Sequence, residues 1–201
     1  DCTIIDPSRS PELIDQYGKL YYEKRQRKGL TLHQAVKKMR QRTYFGAMMV
    51  ELGQADAFIS GQNSNYPDTI RPALEIIGKT DGVTKVAGMY IIMSKQGPLF
   101  FADTTVNIAP TSDELVDIVK LAYRMVTNLQ IKPRIAMLSY SNFGSAKGTT
   151  PNNIRAALAK LNRENPEILV DGEMQANTAL NSDLRQELFP FSKLGNENAN
   201  V

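Results

Sequence analysis

Arg134-Ile135-Ala136-Met137-Leu138, followed directly by Ser139-Tyr140-Ser141-Asn142-Phe143-Gly144-Ser145, decides how this chain is read. An apolar run of strand length gives way at once to hydroxyls, an amide and a glycine. Such short apolar runs suit a buried strand, and the small-residue loop continues to Thr150. Pro151, a residue at home in the first turn of a helix, opens a helix expected to reach about Glu164. Ile168-Leu169-Val170 then reads as a second buried strand, stopping at Asp171-Gly172. Strand, helix and strand in that order form the unit of a parallel sheet.

Upstream, Leu99-Phe100-Phe101-Ala102 follows the turn chemistry of Lys95-Gln96-Gly97-Pro98. It is expected to return antiparallel to a strand over Val83–Met93, rich in aliphatic and β-branched residues. Thr111-Ser112-Asp113-Glu114 is a capping box, opening a helix with Leu115, Ile118, Val119, Ala122 and Val126 on one side. Nearer the start, Ser10-Pro11-Glu12 begins a helix running to about Lys28 and Gly29. Thr31 opens another that carries Leu32 to Leu52. Ala57-Phe58-Ile59-Ser60 reads as a short strand and Thr69–Ile77 as a helix. A last helix is expected over Gln175–Leu188. The fold class is α/β: a three-layer α/β/α arrangement with a mainly parallel sheet plus an antiparallel hairpin.

Composition narrows the function classes. The chain has 201 residues, 42% hydrophobic and 22% charged, with a net charge of +3, ordinary for a globular domain. The basic cluster Lys24, Arg25, Arg27, Lys28 sits at a helix end, where cations complement the helix dipole. No run combines basic and aromatic residues as nucleic-acid binding requires. Cys2 is the single cysteine and His33 the single histidine, so neither a disulfide nor a Cys/His metal cluster is expected. No apolar stretch approaches the ~20 residues that span a bilayer, and no signal-peptide core is present. A cytoplasmic setting with no membrane or nucleic-acid partner is expected. The chain opens without Met and closes at Asn198-Ala199-Asn200-Val201, where a strand is expected to start, so both ends read as cuts.

Ligands of open α/β sheets bind beyond the carboxyl ends of strands. That rule selects Ser60-Gly61-Gln62-Asn63, the segment from Asp103 to Asn107, the loop from Ser139 to Ser145, and the segment from Asp171 to Gln175. The loop with Ser139, Tyr140, Ser141, Gly144 and Ser145 can offer backbone N–H groups to a phosphate or an oxyanion; a plain strand-to-helix connection is the other reading. Arg71 suits a two-pronged grip on phosphate, or an ordinary surface ion pair. Asp171 and Glu173 suit a general base or an orienting role, or a turn with one capping carboxylate. His33 reads as a packed or surface residue and Cys2 as a poor nucleophile. Gly78-Lys79-Thr80 resembles the end of a phosphate-binding P-loop, but Ala73 stands where its first glycine belongs and a helix precedes it. No G-x-G-x-x-G follows an expected strand, so dinucleotide binding is not expected here.

As a set, these segments resemble the phosphate acetyl/butyryltransferase family. The matching stretches are Asp56 to Gly61, Asp68-Thr69-Ile70-Arg71-Pro72-Ala73-Leu74, Ala102 to Asn107, Arg134 to Ser141, and Val170 to Gln175. Ser141-Asn142-Phe143-Gly144-Ser145 and Glu187-Leu188-Phe189-Pro190-Phe191-Ser192 resemble the branch fused behind an NADP-dependent malic enzyme. The resemblance implies two lobes around a cleft, akin to isocitrate and isopropylmalate dehydrogenases, with residues 1–80 finishing the first lobe and 81–201 forming most of the second.

The resemblance also implies an acyl-CoA and phosphate site drawn from Ser60, Gly61, Arg71, Thr104, Asn107, Ser139, Tyr140, Ser141, Gly144, Ser145, Asp171, Glu173 and Gln175. The implied ligands are acetyl-CoA or another acyl-CoA and phosphate, with NADP and a divalent metal confined to a malic-enzyme catalytic half outside these residues. The implied partners are that catalytic domain and further copies of the chain. The family's Ser-Arg pair and a following Asp, tied to catalysis, fall beyond Val201, so this segment is not expected to be catalytic alone. A regulatory acyl-CoA sensor, an active phosphate acetyltransferase and an oligomerisation module using the helix at Leu115–Leu129 are the three functions in play.

Overall fold

The computed structural model describes residues 3–79 and 83–201, so Cys2 and Thr80 lie outside the described residues. The chain divides into two compact units, residues 1–80 and 81–201.

The first unit is helical. After a 3₁₀ turn at Pro7–Arg9, α1 spans Pro11–Arg25, α2 Leu32–Met39, α3 Arg42–Glu51 and α4 Tyr66–Pro72, the last running into a π turn at Ala73–Ile77. Ile14, Tyr17 and Tyr21 of α1 meet Ala35, Met39, Tyr44, Phe45, Ala47 and Met48 in one core, the i, i+3, i+4 spacing of a buried helix face. Gly18 is what lets α1 and α2 approach: a Cβ there would stand 2.6 Å from Val36 Cγ2 and 2.8 Å from Val36 Cα. Glu75 ties the helices together. Its carboxylate accepts hydrogen bonds from the Tyr21 and Tyr44 hydroxyls and pairs with Arg25 at 3.3 Å and Lys38 at 3.5 Å.

Where sequence expectation and structure differ here, local chemistry explains it. The helix expected from Thr31 to Leu52 is two helices, because Gln41 leaves helical backbone at φ −83°, ψ 128° to cap α3; the step from Met39 to Tyr44 already breaks the helical apolar spacing. Ser10 accepts no capping bond. Ala57–Ser60 is not a strand: Phe58 lies on Gly46 of α3 and Ile59 is almost fully exposed. Helix α4 starts at Tyr66 with Pro67 in its first turn, where proline's missing N–H costs nothing.

The second unit is α/β. β1 (Met89–Ser94) and β2 (Gly97–Ala102) form an antiparallel hairpin. α5 (Ser112–Asn128) leads to β3 (Ile135–Leu138), α6 (Thr149–Glu164) and β4 (Val170–Met174), and β3 and β4 pair in parallel. The short helices α7 (Ala176–Leu180) and α8 (Ser182–Leu188) follow. Ile135 and Met137 pack with α5 and α6 through Val116, Val119, Ile154 and Leu158. On the opposite face Ala136 and Met174 pack with Ala179 and Leu194, so helices cover both sides of β3. Among the described strands, parallel and antiparallel pairing are equal in number, not mainly parallel as expected.

Three further boundaries shift. Residues 83–88 are held by the loop after β2 and not by a strand partner: Asn107 Nδ2 donates to Val86 O, and Gly88 N–H donates to Asp103 Oδ1. β4 runs through Asp171-Gly172 to Met174, since both carboxylates find side partners. The last helix breaks at Asn181, whose side chain caps α8 by accepting from Leu184 N–H. The capping box at Thr111 and Glu114 forms as expected. Among the described residues no helix is long and apolar enough to cross a membrane.

Glu75 makes this unit sensitive to acid. Burial opposes its ionisation, but hydrogen bonds from Tyr21 and Tyr44 and the charges of Lys38 and Arg25 outweigh that and hold its carboxyl below the usual range. A carboxylate with a lowered folded pKa adds stability that is full above its unfolded value of ~4.3 and disappears as pH falls through the folded value. Glu75→Gln is therefore expected to destabilise the unit by about 1–3 kcal/mol at pH 7. The difference from wild type should close as acidification protonates Glu75. Urea titrations followed by tyrosine near-ultraviolet circular dichroism check this, since Tyr17, Tyr21, Tyr22, Tyr44 and Tyr66 all lie here.

Candidate functional site

The second unit draws two of the post-strand segments, Ser139–Ser145 and Asp171–Gln175, together around Glu173. This residue is fully buried. Its Oε1 accepts from Arg155 Nη1 at 2.7 Å, Gly144 N–H at 2.8 Å and Ser141 Oγ at 3.2 Å, and its backbone carbonyl accepts from Phe143 N–H. Ser139 Oγ lies 3.4 Å from Ser141 Oγ. Gln175 completes the stitching: its N–H donates to Asn142 Oδ1 and its Nε2 to Tyr140 O. Ser145 accepts from Asn142 N–H through its own hydroxyl. The loop after β3 is thus a defined structure clamped to the end of β4, with Tyr140, Gly144 and Ser145 on its exposed side.

Gly172 permits this approach. Its φ is 141°, and a Cβ would come 2.7 Å from Met137 O, so any side chain would push β4 off β3. The peptide bonds Ala102–Asp103 and Gly172–Glu173 are cis. Asp171 is turned to other partners: its Oδ2 accepts from Ser192 Oγ and Lys193 N–H, and its Oδ1 from Gly172 N–H. Asp171 therefore anchors the segment after α8, and Glu173 anchors the loop after β3.

Thr104 and Asn107 lie in the loop after β2, organised by Asp103. The Asp103 carboxylate accepts from the N–H groups of Gly88, Thr105, Val106 and Asn107. Burial works against its charge, yet these donors hold its carboxyl below the usual range. Thr104 and Asn107 face, across a cavity of about 570 Å³, Leu138 and the first turn of α6 at Thr149, Thr150 and Asn153.

Ser60, Gly61 and Arg71 belong to the first unit. Ser60 and Gly61 are exposed; with no strand before them, the strand-end rule does not apply to them. Arg71 is half exposed and 3.8 Å from Asp68. It lines a polar recess of about 380 Å³ with Lys38, Tyr44, Thr43 and Ser64, within which Lys38 donates to Tyr44 Oη at 3.0 Å. Asp68 also lines this recess and Glu75 pairs with Lys38, so both of its cations stand near carboxylates. His33 is an exposed residue of α2.

Sequence reasoning missed Arg155, Lys38 and Tyr44. Arg155 sits nearly two turns into α6, and only its distance to Glu173 reveals it. Lys38 is one of several lysines on α2 until folding sets it beside Arg71. Phe143 contacts Phe189 and Phe191, with ring centroids 4.9 and 5.0 Å apart. The two segments singled out as branch signatures are thus physically joined. Among the described residues no group of His, Cys, Asp or Glu is placed to hold a metal.

One unit is α/β, with small-residue loops following its strands, and the other is helical, the make-up of a domain of phosphotransacetylase type. More narrowly, the chain belongs to the phosphate acetyl/butaryl transferase family, which it matches over residues 1–201. It is 35% identical to a phosphate acetyltransferase of Clostridium acetobutylicum, covering 98% of this chain and 61% of that protein. It is 33% identical to an NADP-dependent malic enzyme of Salmonella typhimurium, covering 96% of this chain and 26% of the enzyme. The fold is similar to that of the EutD phosphotransacetylase from Staphylococcus aureus, with a TM-score of 0.80, 31% identity, and coverage of 100% of this chain and 61% of that one. The chain therefore spans between about a quarter and three fifths of these relatives.

Glu173→Ala tests the clamp. Removing one acceptor from three donors is expected to cost about 1–3 kcal/mol and to speed amide exchange at Gly144 roughly tenfold or more. Hydrogen–deuterium exchange with site resolution reads both the loop and the rest of the unit.

Proposed function

We propose that this chain is an acyl-CoA- and phosphate-binding domain of phosphotransacetylase type, acting as the acetyl-CoA-sensing region of a larger NADP-dependent malic enzyme. The observation that carries the reading is the Ser139–Ser145 loop, held by Glu173 at the end of β3 and β4. Its exposed hydroxyls and backbone suit a phosphate or an acyl carbonyl oxygen. Arg71 with Lys38 supplies cationic charge for phosphate, and Thr104 and Asn107 extend the polar rim. In this reading the two units are parts of two lobes in an isocitrate dehydrogenase-like arrangement, with the thirteen candidate residues drawn to one cleft. The domain acts in the cytoplasm within a homo-oligomer. NADP and a divalent metal serve the malate-decarboxylating half.

The contact of Phe143 with Phe189 and Phe191 favours the malic-enzyme branch, because it makes a single packed feature of the two signature segments. The similarity to stand-alone phosphate acetyltransferases favours a second reading, an active transferase. There the CoA thiolate forms a bond to the acyl carbonyl carbon of an acyl phosphate, and phosphate leaves with the C–O electron pair.

Titration of acetyl-CoA into the full-length protein, followed by calorimetry and by malate turnover, separates these readings. The sensing function predicts saturable binding and a matching loss of malate oxidation; absence of both rejects it. The transferase function predicts arsenate-dependent consumption of acetyl-CoA. In either case Arg71→Ala is expected to weaken phosphate or acyl-CoA binding about tenfold, near 1.4 kcal/mol. Unchanged affinity would remove Arg71 from the site.

A further inference from the structure

We propose that Ser141, Gly144 and Arg155 form an oxyanion site that the chain keeps filled with its own Glu173 carboxylate. A phosphate oxygen of a ligand competes for the same place. Ser141 Oγ, Gly144 N–H and Arg155 Nη1 all converge on Glu173 Oε1, at 3.2, 2.8 and 2.7 Å. A hydroxyl, a backbone N–H and a guanidinium aimed at one oxygen are the donor set that holds an oxyanion. Glu173 is fully buried, yet its Oε2 has no hydrogen-bond partner among the described residues. A carboxylate carries acceptor positions on both oxygens, and leaving one buried and unmet costs free energy. A carboxylate kept only to tie down the loop would share its donors between the two. These donors suit a single oxygen.

The backbone of the loop points the same way. Phe143 has φ 42° and Gly144 φ 87°. Glycine adopts that left-handed region freely, but a bulky residue persists there only where its surroundings enforce it. The rings of Phe189 and Phe191 pack on Phe143 and do so. Two successive N–H groups are thereby turned to Glu173: Phe143 donates to its carbonyl oxygen at 2.7 Å and Gly144 to its carboxylate. Successive backbone donors facing one concavity make an anion-binding nest.

The neighbouring N–H groups are engaged as well. Asn142 N–H donates to Ser145 Oγ, and Ser145 N–H donates to Asn142 O. Each N–H from Asn142 to Ser145 therefore has an acceptor inside the unit, and a ligand gains one only by taking an acceptor's place. Glu173 Oε1 is the anionic acceptor among them, so it is the one a phosphate oxygen replaces. Gly144 is exposed and the Arg155 side chain is 36% exposed, which gives a route in from the outer side of the loop. Until a ligand arrives, Glu173 keeps the donors in the geometry that an incoming oxygen meets. The inference takes its ligand class from the acyl-CoA and phosphate reading and adds the donors and their internal competitor.

The test follows amide exchange at Gly144 against inorganic phosphate concentration in wild type, Glu173→Ala and the double variant Glu173→Ala/Arg155→Met. Phosphate is expected to restore protection of Gly144 in Glu173→Ala, at a concentration at least about tenfold below any that affects wild type. The double variant, lacking the guanidinium, is expected to need roughly tenfold more phosphate than Glu173→Ala. Glu173→Gln removes the charge, keeps the shape, and is expected to fall between wild type and Glu173→Ala; it serves where alanine prevents folding. Equal phosphate dependence in wild type and the Glu173 variants overturns the inference. So does protection that survives Arg155→Met unchanged, since the phosphate then sits elsewhere. Acetyl-CoA binding by wild type is a separate measurement: its absence, beside a phosphate gain in Glu173→Ala, rejects the acyl-CoA reading and supports this site.

Discussion

A single buried carboxylate fixes the geometry of the second unit. Glu173 gathers a backbone N–H, a hydroxyl and a guanidinium onto one oxygen, joining the loop after β3 and helix α6 to β4. A buried charge is costly unless it is paired and hydrogen-bonded, so the carboxylate and the loop stabilise each other. Asp103 does the same work one strand away, ordering the loop after β2 with four backbone donors. Both acids stand where ligand-binding loops leave strands, yet every contact they make is internal. Their effect on a ligand is to hold other groups still, which is what pre-organisation of a binding site requires.

This changes the meaning of the acidic residues in the sequence. Asp171 and Glu173 flank one glycine and invite the idea of two carboxylates in one cleft. In the folded chain they divide: one anchors the segment at Ser192 and Lys193, the other the loop at Ser141 and Gly144. Gly172 between them allows β4 to lie against Met137, where a Cβ would stand 2.7 Å from Met137 O. Tyr140, Gly144 and Ser145 are the exposed residues of the loop that Glu173 holds.

Much of the element order was legible because it rests on local signals. The capping box at Thr111 and the apolar spacing of α5 each act over a few residues and formed as read, and the hairpin formed with its turn drawn in to Lys95-Gln96, because Gly97 and Pro98 already pair in β2. The family could also be read, because its polar segments occur in order along the whole chain. Strand boundaries were less legible, since they are set by partners distant in sequence. Residues 83–88 are β-prone yet belong to Asp103 and Asn107. Residues 171–174 look like a turn yet extend β4, because Arg155, Ser192 and the loop at Gly144 satisfy their side chains. Lys38 and Arg155 carried no signal at all, being ordinary helix cations until folding supplied Glu75, Arg71 and Glu173 as neighbours.

The same distinction between local and distant pairing accounts for the divided sheet. A hairpin forms through a tight turn and needs nothing else, so β1 and β2 pair along their full length. Parallel strands depend on a crossover and on neighbours at both edges to be buried. β3 pairs with β4 on one edge, and on the other Asn200 and Val201 exchange backbone hydrogen bonds with Arg134 and Ala136. Its apolar residues Ile135, Ala136 and Met137 are nonetheless buried on both faces, the pattern of an interior strand.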